Sequence, residues 1–510
     1  MILPLSFLAP LVLLAVAALS LAAPGRRPGA LPARAELAAL AALALALLGA
    51  VQLIVAGPAT LAALRLDALS ATMTVLVAFI GWIVMRYSRT YLDGEAKEGT
   101  FAGLMLATLA AVLILVQAGS FPVLIAAFIG IGVGLKQLLL FYAERAEARR
   151  AATKFALVWH AGDAALILAA LLLWSALGTA EIGALAAAAG AGLTPIGHVA
   201  VALLVLAAAL KTAAFPLHGW LTEVMEAPTP VSALLHAGII NGGGVLLIRT
   251  AEIVQASPGA MAALVMLGGF TAIFGAVVML TQSAIKTALA WSTVAQMGFM
   301  LLQCGLGLWA LALLHIVAHS LYKAHAFLAS GGAVQAVAGL RRPGPVAVPS
   351  LGAVLKSFAL ALVLYGIVAA LFSTIGDPKS AQALALGAIL IFGVAYLVAQ
   401  GLADAAPAEL TRRTGLAALA AAAAYFTFQL VAAAIWGPVL PATPVAGPLE
   451  WALIVLAVAS FGLVALAQAL FPLWAHHPAA AGLRVHVANG LYLNALLDRA
   501  IGGFRTTGPR

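Results

Sequence analysis

The chain has 510 residues, of which 64% are hydrophobic and only 8% charged, with a formal net charge of +9. Soluble globular chains carry about 25% charged residues, and surface-to-volume scaling leaves no soluble fold able to hide this much apolar surface. The composition excludes a water-soluble protein, and the positive balance fits basic loops on one side of a membrane, not nucleic-acid binding. One cysteine, Cys304, excludes a disulfide framework and a cysteine-ligated iron–sulfur or zinc site. The histidines are scattered, with no paired spacing suited to haem or structural zinc, so no cofactor or metal is expected in this chain.

Met1–Ser20 is apolar and lacks a basic leading segment, which indicates a retained first helix, not a cleaved signal. Apolar runs of about 20 residues, the length of a membrane span, follow at 3–22, 36–57, 66–85, 101–118, 121–141, 155–178, 196–214, 229–250, 260–281, 286–307, 308–335, 353–373, 381–402, 415–437 and 449–474. The expected fold is all-α and polytopic, with about 15 transmembrane helices. When the loops are numbered alternately, one set holds Arg26, Arg27, Arg34, Arg86, Arg89, Lys97, Arg145, Arg149, Arg150, Lys154, Lys286, Arg341, Arg342, Arg412 and Arg413. The other holds little beyond Arg65, Arg249 and Lys379. The asymmetry places the basic set and the C-terminus in the cytoplasm and the N-terminus outside, in the cell inner membrane. Beyond Pro472 the chain turns polar, with His476, His477, Arg484, His486, Asn489, Asp498 and Arg499 among spaced apolar residues. It reads as an amphipathic cytoplasmic tail that lies on the membrane or docks a partner.

Ionisable groups inside a bilayer cost about 2.5–3.5 kcal/mol each on insertion scales, so those retained are paired, snorkelling or used. Lys211 closes an apolar run just before Pro216, which lacks a backbone donor and should break the helix there. A broken helix beside a buried lysine lets freed backbone groups line a wet cavity. His315, His319 and Lys323 are spaced i, i+4, i+8, so each lies about 40° further round the helix and the three form one stripe. Such a stripe suits a proton relay, since imidazole titrates near neutrality. Glu223 and Glu226 precede Pro228-Thr229-Pro230 and a helix carrying His236, and are candidate counter-ions for Lys211. Asp163 is an isolated acid in an apolar helix and needs a cation from a neighbour. Lys286 opens the span IKTALAWSTVAQMGFMLL.

The segments KTAAFPLHGWLTEVMEAPTPVSALLHAG, QSAIKTALAWSTVAQMGFM and HIVAHSLYKAHAFLASG resemble the antiporter-like, proton-pumping subunits of respiratory complex I (subunit L) and of multisubunit cation/proton antiporters. The resemblance implies two inverted five-helix repeats, each with a broken helix. It divides the chain into N-terminal helices (1–100), a first repeat (101–250), a second repeat (251–405), C-terminal helices (406–475) and the tail (476–510). It places Lys211, His236, Lys286, His315, His319 and Lys323 on proton-path positions and Asp163 on an acidic one. Two departures stand out: Ile131 occupies the position of the glutamate that usually pairs with the lysine at 211, and Ala284 that of an aspartate. The segments FYAERAEARRAATKF and LRVHVANGLYLNALLDR look instead like DabB, the membrane-subunit family of two-component inorganic carbon transporters. That resemblance implies a large, soluble, zinc-binding DabA-like partner on the cytoplasmic face. It also implies an ion gradient, of H+ or Na+, coupled to hydration of CO2 to bicarbonate in that partner, with no catalysis in this chain. The rivals are a pump subunit of an NADH-quinone oxidoreductase-like complex and a Na+/H+ antiporter subunit.

Overall fold

The computed structural model describes residues 3–332, 350–374, 379–401 and 408–500. Helices dominate, and α1–α6 span Ala9–Ala22, Leu31–Ala56, Ala68–Tyr91, Glu98–Gln117, Phe121–Leu139 and Ala146–Leu177. After these come α7 (Ile182–Ala189), α8 (Pro195–Lys211), α9 (Gly219–Thr222), α10 (Thr229–Ala237), α11 (Gly242–Arg249), α12 (Ala251–Gln255), α13 (Pro258–Met279), α14 (Ile285–Gly305) and α15 (Trp309–Ala329). Four long helices, Leu351–Phe372, Ala381–Gly401, Ala408–Trp436 and Pro448–Ala469, precede a tail of short ones ending in Leu493–Ala500. The protein is an all-α multi-pass membrane protein. Among the described residues, twelve helices are long and apolar enough to cross a membrane. Pro195–Lys211 and Ala381–Gly393 are shorter apolar stretches, and Ile285–Gly305 is not among the twelve; within the described residues the fifteen expected spans fall on helices, that at 229–250 on two.

The described strands form one hairpin, β1 (Ala59–Leu61) and β2 (Leu64–Leu66), paired antiparallel. It leads into Asp67, which caps α3 in a reciprocal box with Ser70: each residue's side chain accepts from the other's backbone N–H, at 2.7 and 2.8 Å. Asp67 also binds Arg249, at 2.6 Å, and Arg65, at 3.0 Å. Thus the two arginines set apart from the basic loops by the sequence meet at one buried carboxylate. Burial alone would raise the Asp67 pKa, but Arg249, the Ser70 backbone N–H and Arg65 outweigh it and hold the carboxyl below its ordinary value.

Helices α13 and α14 pack backbone to backbone along a seam of glycines. A Cβ on Gly268 would collide with the Leu302 amide, and one on Gly298 with the Ala272 amide. Small residues permit this approach where apolar side chains gain nothing from leaving lipid.

Helix α8 stops at Lys211, as Pro216 requires. Ala213 adopts φ +51°, in the left-handed region, and the Phe215 N–H donates to Thr271 Oγ1 of α13 at 3.1 Å. Irregular backbone is thereby satisfied inside protein rather than against lipid. A second interruption, at Gly238–Asn241, separates α10 from α11. In the expected second repeat, α13, α14, α15, Leu351–Phe372 and Ala381–Gly401 each run without a break, and residues 333–349, 375–378 and 402–407 lie outside the described ones.

Candidate functional site

Lys211 is fully buried, and its Nζ donates to Asp163 Oδ1 of α6 at 2.6 Å. The ammonium lies 4.2 Å from the Trp159 ring centre and 4.4 Å from that of Phe128, both favourable for a desolvated cation. The other oxygen of Asp163 meets Nδ1 of the half-exposed His160 at 3.1 Å. Asp163 therefore supplies the counter-charge absent at Ile131, which is buried in α5.

Glu223 does not reach Lys211. Its Oε1 accepts from Lys154 Nζ at 2.8 Å, and Arg150 approaches at 3.7 Å. Lys154 is a further site residue, hidden in sequence because it follows the basic run ERAEARRAATK and reads as a loop residue. In the structure it is fully buried on α6 and also binds Asn494 Oδ1, at 2.7 Å, and Asp498, both from the tail. Glu226 pairs instead with Arg145 near the surface, at 2.9 Å. Phe155, Trp159 and Trp220 pack together in tilted and edge-on contacts, with centroids 5.2–6.1 Å apart. Phe155 and Trp159 occupy α6 between Lys154 and Asp163, so this aromatic packing lies between the two buried lysines.

A second cluster is built from α10, α14 and α15. His236 Nδ1 lies 3.0 Å from Thr293 Oγ1, and its ring stacks on Phe327 at 4.3 Å. Nε2 of His319 is 3.2 Å from the His236 carbonyl oxygen. Lys323 donates to the Leu289 carbonyl at 2.9 Å and to Ser292 Oγ. The His315 and His319 rings are 6.0 Å apart, so the stripe is a physical row along α15. Nε2 of His236 and of His315 are buried without a hydrogen-bond partner among the described residues, places where water can extend a hydrogen-bonded chain. Near one end Lys286 donates to Thr229 Oγ1 at 3.1 Å. Among the described residues no direct hydrogen bond joins this cluster to Lys211. The packing of α11 against α8 at Gly243 and Ala208 lies alongside both breaks. His218, not singled out from sequence, is buried against Phe215, Phe274 and Trp291 in the α8–α9 break.

Two paired arrangements of buried charge flank a broken helix in a multi-pass protein, and the same segments match known families. Residues 121–342 match the model described as NADH:quinone oxidoreductase/Mrp antiporter, TM. Residues 59–102 match that described as NADH-Ubiquinone oxidoreductase (complex I), chain 5 N-terminus. These matches place residues 59–102 and 121–342 in the antiporter-like superfamily. Within it, this chain is 46% identical over 279 residues to a probable inorganic carbon transporter subunit, DabB2, of Halothiobacillus neapolitanus, covering 54% of this chain and 51% of that protein. A probable DabB subunit of Hydrogenovibrio crunogenus is 44% identical over 270 residues, 52% of each chain. NADH-quinone oxidoreductase subunit L of Mycobacterium tuberculosis is 34% identical over 305 residues, 57% of this chain and 48% of that one. The chain thus spans about half the length of the curated relatives it matches. Among solved structures, a chain of the Mrp complex from Dietzia superposes with TM-score 0.65 at 24% identity, over 98% of this antiporter-like chain and 60% of that one. A chain of the archaeal membrane-bound sulfane sulfur reductase superposes with TM-score 0.62 at 15% identity, over 97% and 99%. These two likenesses show the fold.

Proposed function

We propose that this antiporter-like chain is the cation-conducting membrane subunit of a two-component inorganic carbon transporter in the cell inner membrane. Its N-terminus faces outward and its tail the cytoplasm. The observation that carries the conducting role is the fully buried Lys211–Asp163 pair at the α8 break. A charge pair so deep is costly to keep and, in a membrane, points to transport. Lys211, Asp163 and Glu223 with Lys154 serve one side of the path. His236, His315, His319, Lys323 and Lys286 serve the other. The choice of carbon transport over the rivals rests on the greater identity to DabB proteins, 44–46%, than to subunit L, 34%. On this reading the cation, a proton or Na+, drives CO2 hydration in a large, soluble, DabA-like zinc subunit at the cytoplasmic face, and zinc belongs to that partner.

The test is affinity capture from native membranes in mild detergent, with metal analysis of the eluate. A single large zinc protein at near-equal amount supports the carbon transporter. Flavin and iron–sulfur subunits, or a set of small membrane subunits, return the chain to a respiratory complex or a Na+/H+ antiporter.

A further inference from the structure

The tail helix Leu493–Ala500 is amphipathic in an unusual sense. Asn494 and Asp498, one turn apart, point inward to the buried Lys154, while Leu496 is exposed to 60%. Asn494 also donates to Glu223 and sits so close to α9 that a Cβ on Gly219 would collide with its amide. A little upstream, Gly490 packs on Trp291 and the Ala488 carbonyl accepts from Gln282 at 3.2 Å. The tail thus closes over the face where α6, which carries Asp163, and α9, which follows the α8 break, come together.

Charge counting gives the docked tail a role. Lys154 and Arg150 are opposed by Glu223 and Asp498, so the cluster is neutral with the tail in place. Withdrawing the tail leaves Glu223 facing both cations. A buried ion left without its partner is strongly disfavoured, so tail movement and the charge state of this cluster must change together. With the polar pair turned inward, the helix presents Leu496 and Arg499 outward, a handle by which another protein can lift it.

We propose that the tail is a displaceable cap on the basic-face end of the Lys211 path, with Asp498 the charge that seals Lys154 and undocking the step that opens the site to water. This inference rests on the cation-conducting reading above. It gives the soluble partner a mechanical handle, because engaging the tail would gate the path without touching Lys211.

The test uses the full chain in everted membrane vesicles, with its co-purifying partner present. Cysteines are introduced by Gly219→Cys and Asn494→Cys; the Asn494 Cβ lies 3.4 Å from an ideal Cβ at position 219, near the Cβ separation of about 3.8 Å typical of disulfides. The single native cysteine, Cys304, is buried. Oxidation is expected to form the bridge and abolish gradient-driven cation flux, and reduction to restore it, while neither single variant responds to oxidant. Asp498→Asn, which weakens the seal without locking it, is expected to raise flux measured without the partner. A bridge that forms and leaves flux unchanged overturns the cap, and so does failure of the bridge to form in folded protein. Absence of flux from the wild-type vesicles overturns the conducting reading itself, and the cap with it.

Discussion

Replacing Asp163 by Asn is the most searching perturbation of the proposed path. The Lys211–Asp163 separation is 2.6 Å, so at an effective dielectric of about 20 their attraction is roughly 6 kcal/mol. Desolvation offsets much of this. Removing one partner nevertheless costs about 3–5 kcal/mol, because the surviving charge stays buried, and Lys211 has no exposed surface. Asp163→Asn is therefore expected to lower unfolding stability in detergent by about 3–5 kcal/mol and to abolish cation flux in vesicles. Two further variants separate the structural from the conducting role. Lys211→Met with Asp163→Leu removes both charges, and should recover most of the stability and none of the flux. Ile131→Glu in the Asp163→Asn background restores a carboxylate one helical turn from Phe128, whose ring lies 4.4 Å from the lysine ammonium. It should recover part of both. The reasoning is refuted if Asp163→Asn unfolds within about 0.5 kcal/mol of wild type, the range of an ordinary surface substitution, and conducts normally.

The remaining predictions concern other parts of the molecule. Lys323→Met should abolish flux while leaving the fold intact, because methionine fills the same space beside Leu289 and Ser292; thermal unfolding and vesicle flux measured together check this. Asp67 has a depressed folded pKa, so its contribution is fully present above the unfolded aspartate value of about 3.9 and is lost as pH falls through the lower folded value. Thermal stability should therefore drop below about pH 4, and Asp67→Asn should flatten that drop while costing about 3–5 kcal/mol at neutral pH. Gly298→Val should destabilise by about 1–3 kcal/mol or more, since its Cβ would meet the Ala272 amide; a chemical-denaturation series in detergent measures it.

The spans were legible because apolar length is a local property of the chain, and the α8 break because Pro216 acts on its own backbone. The α15 row was legible for the same reason: His315, His319 and Lys323 share a face wherever that helix sits. Pairings across the fold were not. Asp163 announced that it needed a cation but not which, and Glu223 was an equally plausible mate for Lys211 by charge alone. Lys154 looked like one more basic residue at a helix entrance. Two of its partners, Asn494 and Asp498, lie more than 300 residues away, and no periodicity carries such a contact. The second broken helix is expected from resemblance alone: Leu351–Phe372 is continuous, its apolar sequence VLKSFALALVLYGIVAALF contains no proline to interrupt it, and residues 333–349 before it lie outside the described ones.

The Trp159 indole stacked beside the Lys211 ammonium also makes the protein its own optical probe. An indole 4.2 Å from a positive charge emits in a local field that changes when the ammonium swings from Asp163 or gives up its proton. Ultraviolet emission from the unlabelled chain, with Trp159→Phe as the blank, would then follow the lysine through each turnover in real time.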